Sequence, residues 1–262
     1  MIDVFKAEFL KLTRPRILAG TLVATALAAV VATSVVVFSV EASEGPASGR
    51  GVTLEELAAA GGGTEAFALG ISFSGFFVFV TLAANWAGEF SQGTFRTLLM
   101  QQPSRPYVLA GKLAGVVVFA AGVLLVFGGL TWALSLALAP TQDVSTSAWF
   151  SVDGLAEAAG DYATALFWVS AWASFAMMLG VLLRSTPIAL GVGIAWAGPF
   201  EHLTGEAVSA LSGIYPGLLL ESLAVGGTAD ASYDRALLLL MGYTAIAVAI
   251  SLITFTRRDV AG

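Results

Sequence analysis

Residues 113–139 read LAGVVVFAAGVLLVFGGLTWALSLALA and contain no charged side chain. A helix rises about 1.5 Å per residue, so about 20 residues cross the roughly 30 Å hydrocarbon layer of a bilayer. This stretch therefore predicts a transmembrane helix, which we expect to end before Pro140. The composition of the whole chain also indicates a membrane protein, because 57% of its 262 residues are hydrophobic and only 11% are charged. A typical soluble domain carries about 25% charged residues.

Charge-free stretches recur along the chain and predict an all-α membrane protein with six spans in a single domain over residues 1–262. We place the spans at residues 17–40, 66–88, 113–139, 162–183, 185–200 and 236–256. The fifth is short for a crossing. The uncharged residues 207–220, which include Gly213 and Pro216, are too short to span, and we interpret them as an outer re-entrant or interfacial hairpin.

The distribution of basic residues predicts the orientation of these spans. Ten of the 12 Lys and Arg residues precede the first span, lie between spans two and three, or follow spans four and six. Only Arg50 and Arg235 fall on the other side, together with most carboxylates. Since basic loops stay on the inner side, we expect a multi-pass protein of the cell membrane with both termini in the cytoplasm.

The N-terminal residues 1–16 predict an amphipathic helix on the inner membrane surface. Its apolar residues recur at helical spacing, while its charged residues are expected to face elsewhere. The apolar set is Ile2, Phe5, Phe9 and Leu12, and the charged set is Asp3, Lys6, Glu8 and Lys11. In the outer loop, Thr53 and Glu56 match a capping box that begins a short helix.

Several kinds of chemistry are excluded by residue type. The chain has no cysteine and a single histidine, His202, so we expect no catalytic, cofactor-binding or metal-binding residues. Its net charge of −6 disfavours nucleic acid. The one Gly-Lys pair, Gly111-Lys112, is followed by Leu113 and not by the Ser or Thr of a phosphate-binding loop. Any ATP hydrolysis must therefore belong to another polypeptide.

The segment between spans two and three reads EFSQGTFRTLLMQQPSR over residues 89–105. The spacing of Phe95, Leu98 and Leu99 predicts a short amphipathic helix that ends at Pro103. Taken alone, this segment is also compatible with an ordinary loop that follows the positive-inside rule.

This segment, followed by Gly111-Lys112, resembles the one after the second span of ABC-2 type permeases, the membrane subunits of ATP-binding-cassette exporters. The N-terminal helix, six spans, outer hairpin and basic tail extend the resemblance over the chain. The resemblance implies a coupling helix that docks on a cytoplasmic ATPase, which is present in two copies and carries ATP and Mg. It also implies a second permease, either another copy or a homologue. The implied docking residues are Gly93, Thr94, Phe95, Arg96, Leu98 and Leu99, with the inner-interface polar residues Glu89, Arg105 and Lys112 nearby.

The primary functional hypothesis is export of a hydrophobic or amphipathic substrate, with energy from the separate ATPase. Two alternatives stay open: a secondary transporter, and a non-transporting scaffold or immunity-type protein. The first alternative is disfavoured because coupled transporters usually carry ionisable groups within their spans. The sequence selects no substrate and does not distinguish a homodimer from a heterodimer.

Overall fold

The computed structural model of the chain describes residues 1–39 and 52–258, apart from the side chains of residues 209 and 210. Within these ranges the regular elements are helical, and Gly227 and Ser232 form an isolated antiparallel bridge. The α-helices are α1 (Ile2–Leu12), α2 (Pro15–Phe38), α3 (Leu54–Ala58), α4 (Glu65–Ser91), α5 (Thr94–Gln101), α6 (Arg105–Leu138), α7 (Val152–Leu183), α8 (Thr186–Ala195), α9 (Glu201–Ala207), α10 (Ser209–Ser212), α11 (Pro216–Ala224) and α12 (Tyr233–Arg257). Short 3₁₀ turns occupy Ala60–Gly63, Ala139–Gln142 and Ser147–Phe150.

Five helices in the described residues are long and apolar enough to cross a membrane, which supports a multi-pass, all-α membrane protein. They are α2, α4, α6 with its following turn, α7 and α12. Five predicted spans fall on them. The end of the first predicted span at Val40, the residue Arg50 and the last four residues lie outside the described part of the chain.

The long helices extend beyond the charge-free stretches used to predict them. Helix α4 continues to Ser91 and α6 begins at Arg105, so both contain a charged residue near one end. Those residues are Glu89 and Lys112. The predicted spans 66–88 and 113–139 contain no charged residue, and Glu89 and Lys112 lie just beyond them, where they pair with one another inside longer helices.

The predicted fifth span, residues 185–200, is helical but irregular. Helix α8 passes into a π-helical turn at Trp196–Phe200, which contains Pro199, and the chain continues as α9. Proline has no backbone N–H to donate, and a π-turn accommodates this break in the hydrogen-bond ladder. These segments are individually short, and none is among the five membrane-length helices.

The residues predicted to form an outer hairpin fold into two short helices, α10 and α11. Gly213 follows the first, and Pro216 begins the second. The carboxylate of Glu201 is 1% exposed and accepts a hydrogen bond from the Leu218 N–H at 3.1 Å, near the start of α11. Such an N–H has no partner within its own helix, so Glu201 stabilises the helix terminus.

The chain divides into two compact units. The first comprises Met1–Arg14, Ser74–Ala120 and Phe167–Gly262, and the second comprises Pro15–Phe73 and Ala121–Leu166. In the second unit the predicted capping box is confirmed, because Thr53 and Glu56 exchange hydrogen bonds at the start of α3. Trp149 is fully buried there and donates from Nε1 to the carbonyl of Leu57 at 2.9 Å.

Candidate functional site: the short helix α5 and an adjacent ion cluster

The predicted amphipathic helix between two long helices is present as α5, which belongs to the first unit. Gly93 precedes it with a φ of 71°, a left-handed conformation that glycine adopts without steric cost. The turn at Gly93 separates α5 from α4. Gln102 is extended and Pro103 follows, which ends the helix.

Phe95 is fully buried within the protein's own first unit. Its ring centre lies 4.3 Å from that of Phe90, 5.2 Å from that of Phe255 and 6.1 Å from that of Trp86. Phe95 therefore anchors α5 to α4 and α12. The expectation that its side chain docks on another protein is corrected, since the apolar face of this amphipathic helix is already covered from inside.

The opposite face of α5 is open. Arg96 and Thr97 are exposed, and Met100 is 73% exposed. Gly93 is exposed as well, whereas Thr94, Leu98 and Leu99 are half-buried. Sequence reasoning missed Met100 because an apolar residue was expected on the covered face. Its spacing of four from Arg96 was the available signal, since residues four apart share one helix face.

Four charged side chains form an ion cluster beside α5: Glu8, Lys11, Glu89 and Lys112. The Nζ atom of Lys112 contacts the carboxylates of both Glu8 and Glu89, the second at 2.8 Å. The Nζ atom of Lys11 lies 3.0 Å from Glu8, 2.5 Å from Glu89 and 3.0 Å from Oδ1 of Asn85. Glu89 therefore pairs with two basic residues, one from α1 and one from α6. The two carboxylates neutralise the two ammonium groups, and their contacts offset the cost of removing these charges from water.

Burial within the cluster is deep. The side chains of Glu8 and Lys112 are 4% and 3% exposed, while that of Lys11 is 28% exposed. Burial alone would raise the pKa of Glu8, but the neighbouring Lys112 and Lys11 ammonium groups outweigh it and lower that pKa. Burial would likewise lower the pKa of Lys11, yet the Glu89 and Glu8 carboxylates raise it. Both groups of α1 are therefore held in their charged forms.

Helix α1 approaches α6 closely at two glycines. A Cβ atom on Gly111 would lie 2.9 Å from the carbonyl oxygen of Met1, and one on Gly115 would lie 2.9 Å from Cβ of Glu8. Small residues four apart allow such close helix contact. The buried residues of α1 are Val4 and Glu8. The prediction that Glu8 faces away from the apolar surroundings is wrong. Glu8 packs against α6 at Gly111 and Gly115, which together form a glycine notch.

Arg105 has a different role from the ion cluster. Its Nη1 atom donates toward the carbonyl oxygens of Phe255 at 2.8 Å, Thr256 at 3.2 Å and Arg258 at 2.7 Å. The last carbonyls of a helix have no partners within it, and a cation favours that end of the helix dipole. Arg105 therefore caps α12 and ties its end to the start of α6.

A cleft of about 160 Å³ lies between α1 and α5 beside the ion cluster. Arg14 lines it from the α1 side, and Thr94 and Leu98 line it from α5. Among the described residues, no group of three or more His, Cys, Asp or Glu side chains is placed to hold a metal ion. The arrangement brings α1, α4, α5 and α6 into contact around one buried group of charges.

A protein-family profile described as "Protein of unknown function (DUF2705)" matches residues 47–195, which is more than half of the chain. The matched range contains α5 together with Glu89, Arg105 and Lys112, and it begins after the α1 residues of the ion cluster. No curated protein matches the chain.

Proposed function

Since this chain belongs to the DUF2705 family, whose function is unknown, we propose from its own residues that it is a membrane-spanning permease subunit of an ATP-binding-cassette exporter. The observation that carries the proposal is α5. It is a short amphipathic helix between two membrane-length helices, with Phe95 buried inside and Arg96, Thr97 and Met100 open to a partner. The resemblance of residues 89–112 to the coupling segment of ABC-2 type permeases supports the same conclusion.

The proposal requires six crossings, with both termini in the cytoplasm. Three contacts within the first unit support an even number. Lys112 near the start of α6 contacts Glu8 of α1, Arg105 of the same helix caps the end of α12, and Arg258 donates to the carbonyl of Leu182 at 3.2 Å. Helices α1, α7 and α12 thus meet at one end. An even count is reached if residues 186–207 form the sixth crossing despite their π-turn.

The partner in this proposal is a cytoplasmic ATPase, present in two copies in an assembly with two permease subunits. Binding of ATP closes the ATPase and pushes on the open face of α5. Because Phe95 packs against α4 and α12, a displacement of α5 moves the inner ends of both helices. The substrate is a hydrophobic or amphipathic molecule, and ATP and Mg remain on the partner.

The proposal is tested by purifying the tagged full-length chain from its native membrane. We expect an ATP-binding-cassette ATPase to co-purify, and the chain alone not to hydrolyse ATP. Arg96→Glu should reduce recovery of the ATPase because it reverses an exposed charge at the contact. Glu55→Lys, a charge reversal at an exposed position of the predicted outer loop, is the matched control and should leave recovery unchanged.

Two results would overturn the proposal. The first is purification of the chain, after cross-linking in the membrane, without any ATPase. The second is ATP hydrolysis by the isolated chain once contaminating ATPases have been removed. Equal loss of the ATPase with Arg96→Glu and Glu55→Lys would show that α5 is not the docking element.

A further inference from the structure

The ion cluster is not part of the proposed docking surface, and the side chains of Glu8, Glu89 and Lys112 in it are each less than 10% exposed. Moving charges out of water is costly, and breaking one partner of a buried pair leaves an uncompensated charge. Apolar residues would hold helices together with less dependence on geometry. A charge-balanced cluster instead favours one arrangement of its helices strongly over partly open ones.

The cluster joins elements that are distant in sequence. Glu8 and Lys11 belong to α1, Glu89 to α4 and Lys112 to α6. Lys112 also lies over aromatic rings, 5.5 Å from the ring centre of Trp86 and 5.7 Å from that of Phe95 on α5. A cation above an aromatic ring is attracted by the electrons of its face. The ammonium group of Lys112 on α6 therefore contacts side chains from three other helices, α1, α4 and α5.

We propose that this cluster is a conformational lock that makes α1, α5 and the adjoining ends of α4 and α6 move as one body. In the locked state Glu8 lies in the glycine notch of α6 and both lysines are paired. In the released state α1 leaves the notch and all four charges regain water. Movement of Phe95 on α5 changes the surroundings of Lys112, which is paired with Glu8 of α1. The lock therefore couples α5 to α1. The lock is a property of this chain alone and does not require an ATPase partner.

The chain has no native cysteine, so a single introduced cysteine reports on the lock. Val4, which is 6% exposed, lies on the docked face of α1, whereas Ala7 is exposed at the cleft between α1 and α5. In reconstituted full-length protein, Val4→Cys should react with a water-soluble maleimide about tenfold more slowly than Ala7→Cys. Adding Glu8→Gln or Lys112→Met should raise the Val4→Cys rate about tenfold or more and leave the Ala7→Cys rate unchanged.

The link to α5 is tested with Phe95→Leu, which keeps an apolar side chain but removes the ring beneath Lys112. It should also accelerate labelling of Val4→Cys, and its effect should combine less than multiplicatively with that of Glu8→Gln, because both open the same lock. Trp149→Phe, a buried aromatic change in the second unit, is the control for general loosening and should have no effect.

The proposal is wrong if Val4→Cys reacts as fast as Ala7→Cys in the parent protein, because α1 is then not docked. It is also wrong if Val4→Cys stays protected with Glu8→Gln. That variant preserves the shape of the side chain and decides the outcome by itself if Lys112→Met does not reach the membrane. Unchanged labelling with Phe95→Leu would show that α5 moves independently of the lock.

Discussion

The Nζ atom of Lys112 lies 5.7 Å from the ring centre of Phe95, so a buried cation on α6 rests on the aromatic anchor of α5. The same ring packs against Phe255 near the end of α12. Phe95 is therefore the point at which the electrostatic and the aromatic contacts of the first unit meet. Truncation of the Phe95 side chain should therefore lower the stability of this chain directly, and any effect on a partner should follow from that.

Phe95→Ala should lower the free energy of unfolding by about 3–5 kcal/mol, because truncating a buried aromatic side chain leaves a cavity. Arg96→Ala and Met100→Ala should change it by less than about 0.5 kcal/mol, since both side chains are exposed. Thermal unfolding in detergent measures the difference. A Phe95→Ala protein as stable as Arg96→Ala would show that the ring is not the anchor described here.

Gly115→Val should displace α1, because a side chain at this position collides with Glu8. Gly122→Val in the same helix is the matched control, since a Cβ atom there meets nothing within 4 Å. We expect Gly115→Val to expose the N-terminal residues to protease in detergent and Gly122→Val to leave the cleavage pattern of the parent. Similar digestion of both variants would argue against the glycine notch.

Arg105→Ala should loosen the last turn of α12. It removes a charged donor from three backbone carbonyls, and hydrogen bonds to charged groups contribute about 1.5–3 kcal/mol. Hydrogen exchange of the amides in residues 250–257 should accelerate, whereas exchange in α5 should stay as it is. Arg257→Ala, which changes an exposed charge on the same turn, serves for comparison. Equal protection in all three proteins would mean that the cap contributes nothing.

The orientation of the chain is tested by labelling single cysteines at exposed positions with a membrane-impermeant reagent. Ser91→Cys and Thr256→Cys should react only from the cytoplasmic side, and Glu55→Cys only from outside, because ten of the 12 basic residues lie on the side of the termini. Outside labelling at Ser91→Cys or Thr256→Cys would contradict the predicted orientation. Labelling of these two positions from opposite sides would show that the chain does not make a sixth crossing.

The ion cluster should make stability independent of pH over a wide range. The pKa of Glu8 is lowered, so its contribution is present above the ordinary Glu value of about 4.3 and is lost as the pH falls through the lowered pKa. The pKa of Lys11 is raised, so its contribution is complete below the ordinary Lys value of about 10.4 and is lost as the pH rises through the raised pKa. The contribution of Glu8 and Lys11 to the Tm should therefore be constant between about pH 5 and 10. Glu8→Gln should reduce the loss of Tm at acidic pH. An unchanged loss of Tm would show that other carboxylates cause it.

Much of the fold was predictable because hydrophobic length is a local property. Five membrane-length helices, the end of α6 before Pro140 and the start of α5 after Gly93 follow from the residues that form them. The capping box at Thr53 is equally local, since its two hydrogen-bonding partners are three residues apart. Patterns of this kind need no knowledge of distant contacts.

The candidate site was less predictable because it is built from distant partners. Charge was used to mark the ends of the spans, so the continuation of α4 past Glu89 and the start of α6 before Lys112 were missed. The amphipathic pattern of α1 did not indicate that Glu8 faces α6. Likewise, the apolar face of α5 was correctly identified, but periodicity does not state whether the protein itself or a partner covers it.

The ion cluster also has a consequence for the order of assembly during synthesis. Glu8 is made 104 residues before Lys112, and Lys11 is made 78 residues before Glu89. At about 5–20 residues per second, α1 emerges several seconds before either partner exists. Helix α1 is therefore synthesised before α4 and α6, but its contacts with them form only after the chain has been translated into α6. Although it is made earlier than these partners, α1 reaches its native position only once they are present.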